Sequence, residues 1–574
     1  MIGPYYTNGE GIRPVQLHEP LDFAAVTDHA ETIGEVYLCT TPGSEAYDSE
    51  NCRSFRGDSP ERERGFAAGI RRMMSLGGTG DRNAELCGPE NRTCRDALKT
   101  AWDQNREITE RFYDRTGACS FTTFHGYEYS NSVSLSKVHR NIIFRNASVP
   151  ESPVSSLEQP DPVGLWEDIE SLCQEASGNC DAVSIPHNPN ASNGRMFTPM
   201  YREETIAEQQ RQAALRARME PVVEMMQVKG ESECKAGMWN VLGEDEACGF
   251  EKIFGTGADA PGDCEDDYGS GALAGFGCQS RLDFARYAVI AGMVEEQRIG
   301  INPYRFGFIG GTDTHNATPG AAREDDYAGC CAEVDTSPEA RLQGGQGFAR
   351  KPMRARNPGG LMGVWAEENS RDALFDAIQR REVFATSGPR IRPRFFAGHD
   401  LGESACETDM AEQGYANGVA MGSVLGPAES GKSPVFTAAV QADPEGGLLQ
   451  RLQVIKVWAE GEETFHQAVH DIAGSANNGA RVDLSDCSVS GPGDTQLCAS
   501  WRDPDFIPQQ PAAYYLRVIE NPSCRWTWHD CLAIPEASRP AACSDPDLPR
   551  TIQERAWTSP IWYSPGTSSA NNET

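Results

Sequence analysis

The chain has 574 residues, 39% of them hydrophobic, and a formal net charge of −33. That length predicts at least two folding units, and no apolar run approaches the roughly eighteen residues that span a bilayer. The charge argues against nucleic acid as a partner, because contact with a phosphate backbone needs clustered Lys and Arg.

Short apolar runs followed by polar residues recur from Leu21 to about Arg390, with amphipathic helical stretches between them. This alternation is typical of β/α units. The predicted strands are 22–26, 120–124, 138–144, 182–186, 222–228, 306–310 and 361–365. Helices are predicted around Trp166, over 205–219, and after an N-cap at Ser370.

After about Ile391 the pattern changes to alternating strands with Gly, Pro and Asp turns, as at 435–440, 452–458 and 513–519. We therefore predict a barrel over 1–390, a β-sandwich-like region over 391–563 and a disordered tail over 564–574. Two segments rich in turn residues and cysteine, about 230–280 and 325–350, are interpreted as surface insertions into the barrel.

Nineteen cysteines predict disulfides and a periplasmic or secreted location. The spacing leaves connectivity open, but candidate local pairs are Cys39/Cys52, Cys87/Cys94, Cys173/Cys180, Cys264/Cys278, Cys487/Cys498 and Cys524/Cys531. The odd count leaves one thiol unpaired or with a partner outside this chain. Nothing near Met1 resembles a signal peptide, so we expect the export signal to lie upstream.

Metal-ligand residues lie at or beside the predicted strands, where a β/α barrel gathers its functional groups. They are His29, Glu128, His139, His187, Asp313 and His315. Any one of them alone is more often a structural residue, but the whole set suits a multinuclear site for Mn²⁺, Zn²⁺ or Fe²⁺. Such a site lowers the pKa of a bound water and favours hydrolysis of a phosphate ester. Arg140 and Lys229 lie beside these strands and are candidates to bind substrate phosphate or to form surface ion pairs.

The motifs LDFAAVTDH at 21–29, GYE at 126–128 and GTDTH at 311–315, with His139 and His187, resemble the polymerase and histidinol phosphatase (PHP) superfamily. More narrowly, the chain resembles the branch catalogued as domain of unknown function 3604. Further matches to that branch are NPGG at 357–360, VWAEEN at 364–369, ATSGPR at 385–390 and SPIWY at 559–563.

This resemblance implies an α/β fold with a distorted (β/α)7 barrel that holds up to three metal ions and hydrolyses small phosphate mono- or diesters. It implies that Glu128 bridges two ions and that His139 and His187 complete one ion's shell. It also implies that His29 and His315 bind another ion and Asp313 the remaining one. Glu128, His187 and Asp313 are therefore the predicted catalytic residues.

The chain departs from the family pattern at its start. Family members open with a strand ending in His-x-His and a further His, whereas only His18 precedes the strand at 22–26. We therefore expect an N-terminally shortened sequence that holds fewer ions. Two alternatives stay open: a metal-dependent hydrolase of another ester or an amide, and an inactive envelope protein that acts as a binding module. The oligomeric state is not predicted.

Overall fold

A computed structural model describes residues 16–58, 76, 81–176, 179–255, 260–331, 337–343, 353–402, 406, 409–427 and 432–566. Most of the tail predicted at 564–574 lies outside these residues, as does part of the insertion predicted at 325–350. The helices are α1 (Ile33–Thr40), α2 (Glu50–Arg56), α3 (Ala84–Cys87), α4 (Arg92–Phe112), α5 (Pro162–Glu175), α6 (Ile206–Met219), α7 (Ala285–Ile299), α8 (Pro338–Gln343), α9 (Arg371–Gln379), α10 (Met410–Asn417) and α11 (Trp526–Ala533). Among the described residues, no helix has the length and apolar character to cross a membrane.

Strands are concentrated in the C-terminal half of the chain. They are β1 (Phe23–Ala25), β2 (Thr122–Tyr129), β3 (Arg140–Phe144), β4 (Ala182–Pro186), β5 (Val222–Gln227), β6 (Gly230–Glu231), β7 (Val241–Leu242), β8 (Gly307–Gly310), β9 (Leu361–Val364), β10 (Val383–Thr386), β11 (Arg392–Gly398), β12 (Val419–Ala420), β13 (Val424–Leu425), β14 (Val435–Gln441), β15 (Leu449–Glu460), β16 (Thr464–Gly474), β17 (Arg481–Val482), β18 (Val489–Ser490), β19 (Gln496–Arg502), β20 (Ala512–Glu520), β21 (Ser523–Cys524), β22 (Thr551–Ile552), β23 (Arg555–Thr558) and β24 (Ile561–Tyr563).

The strands that carry the candidate site form two small sheets. One has the order β1-β2-β3-β4, and the other has the order β6-β5-β8. β1 runs parallel to β2, with Phe23 opposite Thr122, and β5 runs parallel to β8, with Val222 opposite Gly307. β2, β3 and β4 pair antiparallel. All the residues of β2, β4, β5 and β8 are buried, so their polar side chains need partners inside the protein.

The prediction of a distorted (β/α)7 barrel is wrong, because the described strands form several separate sheets and no closed barrel. One reason is local. Only residues 130–139 join β2 to β3, which is too short for the crossover that parallel neighbours need, so the two strands pair antiparallel. A second reason is non-local, because β9 and β10 join a sheet made mainly of C-terminal strands.

That sheet has nine strands and contains the path β7-β16-β15-β20-β23-β10-β9, with β13 and β24 at its side. A four-stranded sheet, β12-β11-β14-β19, shares a core with it, in which Phe395 and Phe436 contribute with Leu452 and Leu516. The β-rich region is therefore not an appendage, because its largest sheet includes β9 and β10. The boundary expected near residue 390 stays a prediction.

The seven predicted strands and the three predicted helices are confirmed as elements. The Ser370 side chain accepts a hydrogen bond from the backbone N–H of Ala373, as expected of an N-cap. In α9, Leu374, Phe375 and Ile378 form the buried stripe that the spacing predicts.

The chain forms nine disulfides, a number typical of an oxidising extracellular compartment. Four predicted local pairs are confirmed: Cys39–Cys52, Cys87–Cys94, Cys173–Cys180 and Cys264–Cys278. The pairs Cys487/Cys498 and Cys524/Cys531 are wrong, because the fold brings more distant residues together as Cys406–Cys498 and Cys487–Cys524, and Cys531 pairs locally with Cys543 instead. The remaining pairs are Cys234–Cys248 and the adjacent residues Cys330–Cys331, which leaves Cys119 as the free thiol.

A buried ion network joins the two halves of the chain. Glu233 and Asp245 lie in the segment predicted as an insertion, Arg286 lies in α7, and Arg517 lies in β20. Each of these four side chains is at most 1% exposed. Arg517 donates to both oxygens of Asp245 at 2.8 and 2.9 Å, and Arg286 contacts both carboxylates.

Two buried carboxyl groups give the stability of the protein a pH dependence. Burial raises the pKa of Glu324 and that of Glu520 to about 8. Since these values lie above the roughly 4.3 of an unfolded Glu, the stability that the neutral acids contribute is fully present below about pH 4.3 and is lost as the pH rises through about 8. We expect the contribution of these two acids to the urea unfolding free energy to fall by on the order of a few kcal/mol between pH 5 and pH 8.5, measured for Glu520 as the difference between wild type and a variant.

The variant Glu520→Gln keeps an acceptor for the N–H of Gly447 and should flatten this dependence. The interpretation fails if the variant shows the same slope as wild type.

Candidate metal centre

Three buried side chains form the centre of the site: Glu128 from β2, His139 immediately before β3 and His187 immediately after β4. Their ligand atoms lie within 4.8 Å of one another, so the three residues could hold a metal ion. The pairing of β2 with β3 places Glu128 opposite Asn141, which brings His139 Nδ1 to 2.7 Å from Glu128 Oε1. The rings of His139 and His187 are stacked, with centroids 6.3 Å apart.

The hydrogen-bonding state of these histidines suits a metal. His139 Nδ1 and both ring nitrogens of His187 are buried and have no hydrogen-bond partner among the described residues. Carboxylate oxygens lie 2.7 Å from His139 Nδ1 and 2.8 Å from His187 Nδ1, but not in the geometry of a hydrogen bond. Buried polar atoms without partners are rare, whereas imidazole nitrogen beside carboxylate oxygen is a donor set that transition-metal ions prefer.

His29 and His315 lie beside this centre and are more exposed, at 38% and 40% of their side chains. Their Nε2 atoms are 3.4 Å apart, and His29 Nδ1 is 3.4 Å from Glu128 Oε1. An isolated parallel bridge pairs the backbone of His29 with that of Glu128. The residues that follow β1 therefore lie beside the end of β2. Ser130 contacts His29 Nδ1 at 2.5 Å and donates to Glu128 at 2.9 Å.

Asp313 lies on the other side of His187, with its Oδ2 3.4 Å from His187 Nε2. Gln227 donates to the same oxygen at 3.0 Å, and the Lys229 ammonium contacts it as well. The backbone of Asp313 is left-handed, with φ of 51°. Sparsely populated backbone conformations of this kind cluster at functional sites, because the surrounding structure must hold them.

The pKa values of Glu128 and His139 favour protonation states that suit metal ligands. Burial alone would raise the pKa of Glu128, but His29 and His187, together with a contact from His139, hold it well below its ordinary value. Burial lowers the pKa of His139 to about 3, against the carboxylate of Glu128 that raises it. At neutral pH Glu128 is therefore a carboxylate and His139 a neutral imidazole, which are the forms that bind metal.

Glu224 is a site residue that sequence reasoning missed. It lies in the middle of β5, is 3% exposed, and holds its Oε2 2.8 Å from His187 Nδ1 and 3.1 Å from the N–H of Asn188. The signal in the sequence was one Glu beside Val222, Val223 and Met225, because a charged side chain in a fully buried strand needs a polar or charged partner nearby.

Of the eight predicted site residues, the structure brings seven together: His29, Glu128, His139, His187, Lys229, Asp313 and His315. Arg140 lies elsewhere. Its side chain is buried and donates to Glu220, which also pairs with Arg216. The roles assigned to the individual residues stay predictions.

A cavity of about 1210 Å³ leads to the site. His29, Glu128, His187, Glu224, Asp313 and His315 line one part of it, and the rest is lined by apolar residues of β1, β2, β4, β8 and β9 together with charged residues such as Asp22, Arg390, Arg392 and Asp443. β1 and β9 belong to different sheets, and residues of both line this cavity.

The fold and the site define a mixed α/β protein with a buried His and carboxylate cluster that could hold a metal ion. The chain belongs to the family described as a protein of unknown function (DUF3604), whose model matches residues 5–565. Neither a curated protein nor a solved structure matches the chain.

Proposed function

We propose that this protein is a metal-dependent hydrolase of phosphate mono- or diesters that acts in the periplasm or outside the cell. The observation that carries the proposal is the buried cluster of Glu128, His139 and His187, in which His139 Nδ1 and both ring nitrogens of His187 lack hydrogen-bond partners among the described residues. The resemblance of the strand-end motifs to the PHP superfamily supports the same activity. The two nearby pairs, His29 with His315 and Asp313 with His187, favour more than one ion.

Glu128, His139 and His187 would hold one divalent ion, of Mn, Zn or Fe, with His29, His315 and Asp313 as donors to others. Such ions, when bound, supply Lewis acidity and a water of lowered pKa. The chain orients the donors. Glu224 Oε2 lies 2.8 Å from His187 Nδ1, and the other ring nitrogen, Nε2, lies 3.4 Å from Asp313 Oδ2. Ser132 contacts His139 Nε2 at 3.1 Å, which turns its Nδ1 toward Glu128.

The test measures metal content and hydrolysis together. Protein loaded separately with Mn²⁺, Zn²⁺ or Fe²⁺ is analysed for bound metal and assayed with p-nitrophenyl phosphate and bis(p-nitrophenyl) phosphate. We expect at least one ion per chain and phosphate ester hydrolysis that a chelator abolishes and added metal restores. The absence of bound metal, or equal activity after chelation, would refute the proposal.

Matched p-nitrophenyl acetate, p-nitrophenyl sulfate and a p-nitroanilide amide separate the alternatives. Hydrolysis of one of these by the metal-loaded protein, without hydrolysis of either phosphate ester, would identify a hydrolase of a different bond. Metal binding below one ion per chain with no hydrolysis at all would favour the binding-module alternative.

A further inference from the structure

One apolar core of the protein is partly uncovered, and its uncovered side is a wall of the cavity that leads to the metal centre. This core includes Phe124, Ile185 and Ile309. Six further apolar side chains pack against it, are only partly buried, and all line the cavity: Phe23, Ala25, Ile143, Met362, Val364 and Ala366. Because apolar surface gains free energy when it leaves water, this wall favours an apolar occupant.

The strands carry this apolar wall and the metal-site residues on the same face. Alternate residues of a strand point to the same side. In β2 this places Phe124 on the face of Glu128, and in β4 and the residue after it this places Ile185 on the face of His187. All four residues line the cavity. At a rise of about 3.3 Å per residue, the apolar wall begins about 7–13 Å from the metal centre.

The first strand of the sheet repeats this arrangement beside β2. Ala25 lies opposite Phe124, and the parallel bridge between His29 and Glu128 continues the same register. Ala25 and His29 both line the cavity, as Phe124 and Glu128 do. A group attached to a ligand at the metal centre would therefore extend along β1 and β2 into the apolar part of the cavity.

The size of the cavity suits a ligand larger than a phosphate group. Its volume of about 1210 Å³ exceeds the roughly 300–1,000 Å³ of typical small-molecule sites. Charged residues such as Asp22 line the end away from the metal centre, because Asp22 precedes β1 and His29 follows it. The apolar part therefore lies between the metal centre and a charged far end, and a phosphate group alone would leave most of it unfilled.

We propose that the metal centre acts on a phosphate ester with a large apolar group, such as an alkyl chain, and that this group binds in the apolar part of the cavity. This inference rests on the proposed function and narrows its substrate class. Each methylene that leaves water raises affinity by a factor of up to about four. Because the chain stays bound in the transition state, this affinity raises kcat/KM.

The experiment measures kcat/KM of the metal-loaded, full-length protein for two series of esters with methyl, butyl and octyl groups, below the concentrations at which they form micelles. Alkyl p-nitrophenyl phosphates are followed by release of p-nitrophenolate, and alkyl phosphates by release of inorganic phosphate. In whichever series is hydrolysed, we expect kcat/KM to rise by at least about tenfold from methyl to octyl. A flat or falling series would overturn the inference and leave the proposed function standing. A protein that binds no metal or hydrolyses no phosphate ester would refute the proposed function, and the inference with it.

Two variants test whether the wall at β9 binds the chain. Met362→Gln and Val364→Thr make lining side chains polar while keeping their approximate size. We expect kcat/KM for the octyl ester to fall by at least about threefold, because the new polar groups lose hydrogen bonds to water when the chain covers them. The value for the methyl ester and the bound metal should not change. Met200→Gln and Val489→Thr are the matched controls, because these side chains are 54% and 48% exposed and do not line the cavity.

Calorimetric binding of methylphosphonate and octylphosphonate, which are not hydrolysed, provides a readout besides activity. We expect the Kd of octylphosphonate to be at least about tenfold lower than that of methylphosphonate. This difference should shrink in Met362→Gln and Val364→Thr and persist in both controls. Equal Kd values in wild type, or a difference that neither β9 variant reduces, would overturn the inference. If neither β9 variant folds, the wild-type comparison of the two phosphonates decides.

Discussion

Replacement of Glu128 by Gln is expected to reduce metal occupancy and phosphate ester hydrolysis by at least about a hundredfold. Loss of residues that only orient a ligand typically costs 10- to 100-fold, and Glu128 is a direct candidate donor whose Oε1 lies 2.7 Å from His139 Nδ1 and 3.4 Å from His29 Nδ1. The amide keeps the shape of the side chain but removes the charge that divalent ions need. Elemental analysis and the p-nitrophenyl phosphate assay measure the two effects.

Glu460→Gln and His466→Asn are suitable controls, because this Glu and His form an ion pair 3.0 Å apart, at the turn between β15 and β16. Both controls should keep wild-type metal content and activity. A Glu128→Gln protein that retains a full complement of metal would show that the cluster of Glu128, His139 and His187 is not the metal site.

Replacement of Arg517 by Met is expected to destabilise the fold by about 3–5 kcal/mol, the range for breaking a buried ion pair on one side. The change leaves Arg286 as the ion-pair partner of Glu233 and Asp245 among the described residues. Glu233 also accepts hydrogen bonds from Trp557 Nε1 and the Tyr515 hydroxyl, each at 2.6 Å. Two carboxylates buried with one guanidinium must keep an uncompensated charge or take up a proton. Urea unfolding with the disulfides intact measures the change, and the denaturant slope should stay constant.

Arg111→Met is the matched control for this variant, since Arg111 forms an exposed pair with Glu107 on α4 and exposed pairs contribute about 0–1 kcal/mol. A loss below about 1 kcal/mol in Arg517→Met would mean that the network contributes nothing beyond the surrounding packing.

The sequence predicted the strands of the site but not their partners. Runs such as 182–186 and 306–310 are apolar and short, so their buried character is visible in the chain itself. Whether a strand pairs with its neighbour or with a distant segment depends on contacts that periodicity does not report. The predicted strand at 361–365, β9, pairs with β10, and β10 pairs with β23 in the nine-stranded sheet, with Phe384 opposite Thr558.

The disulfides, like the strand pairings, could be predicted only where the two partners are near each other in the chain. Cys87–Cys94 and Cys173–Cys180 close short loops and could be predicted from spacing. Cys406–Cys498 joins residues 92 positions apart, which meet because β14 pairs with both β11 and β19.

Most of the candidate site could be predicted, because its residues end or adjoin strands and strand ends were recognisable. Glu224 could not be predicted in the same way, because it lies inside a strand.

The nine-stranded sheet limits how the gene for this chain could be divided between its N-terminal and C-terminal parts. In a fragment that ends near residue 390, β10 would lose its pairing with β23. In the complementary fragment, Arg517 would lose its ion-pair partners Glu233 and Asp245. Unpaired strand edges and buried charges without a counter-charge both destabilise an isolated fragment. Gene rearrangements that move the C-terminal strands onto an unrelated enzyme would therefore produce two insoluble products, and the two halves are expected to evolve as one heritable unit.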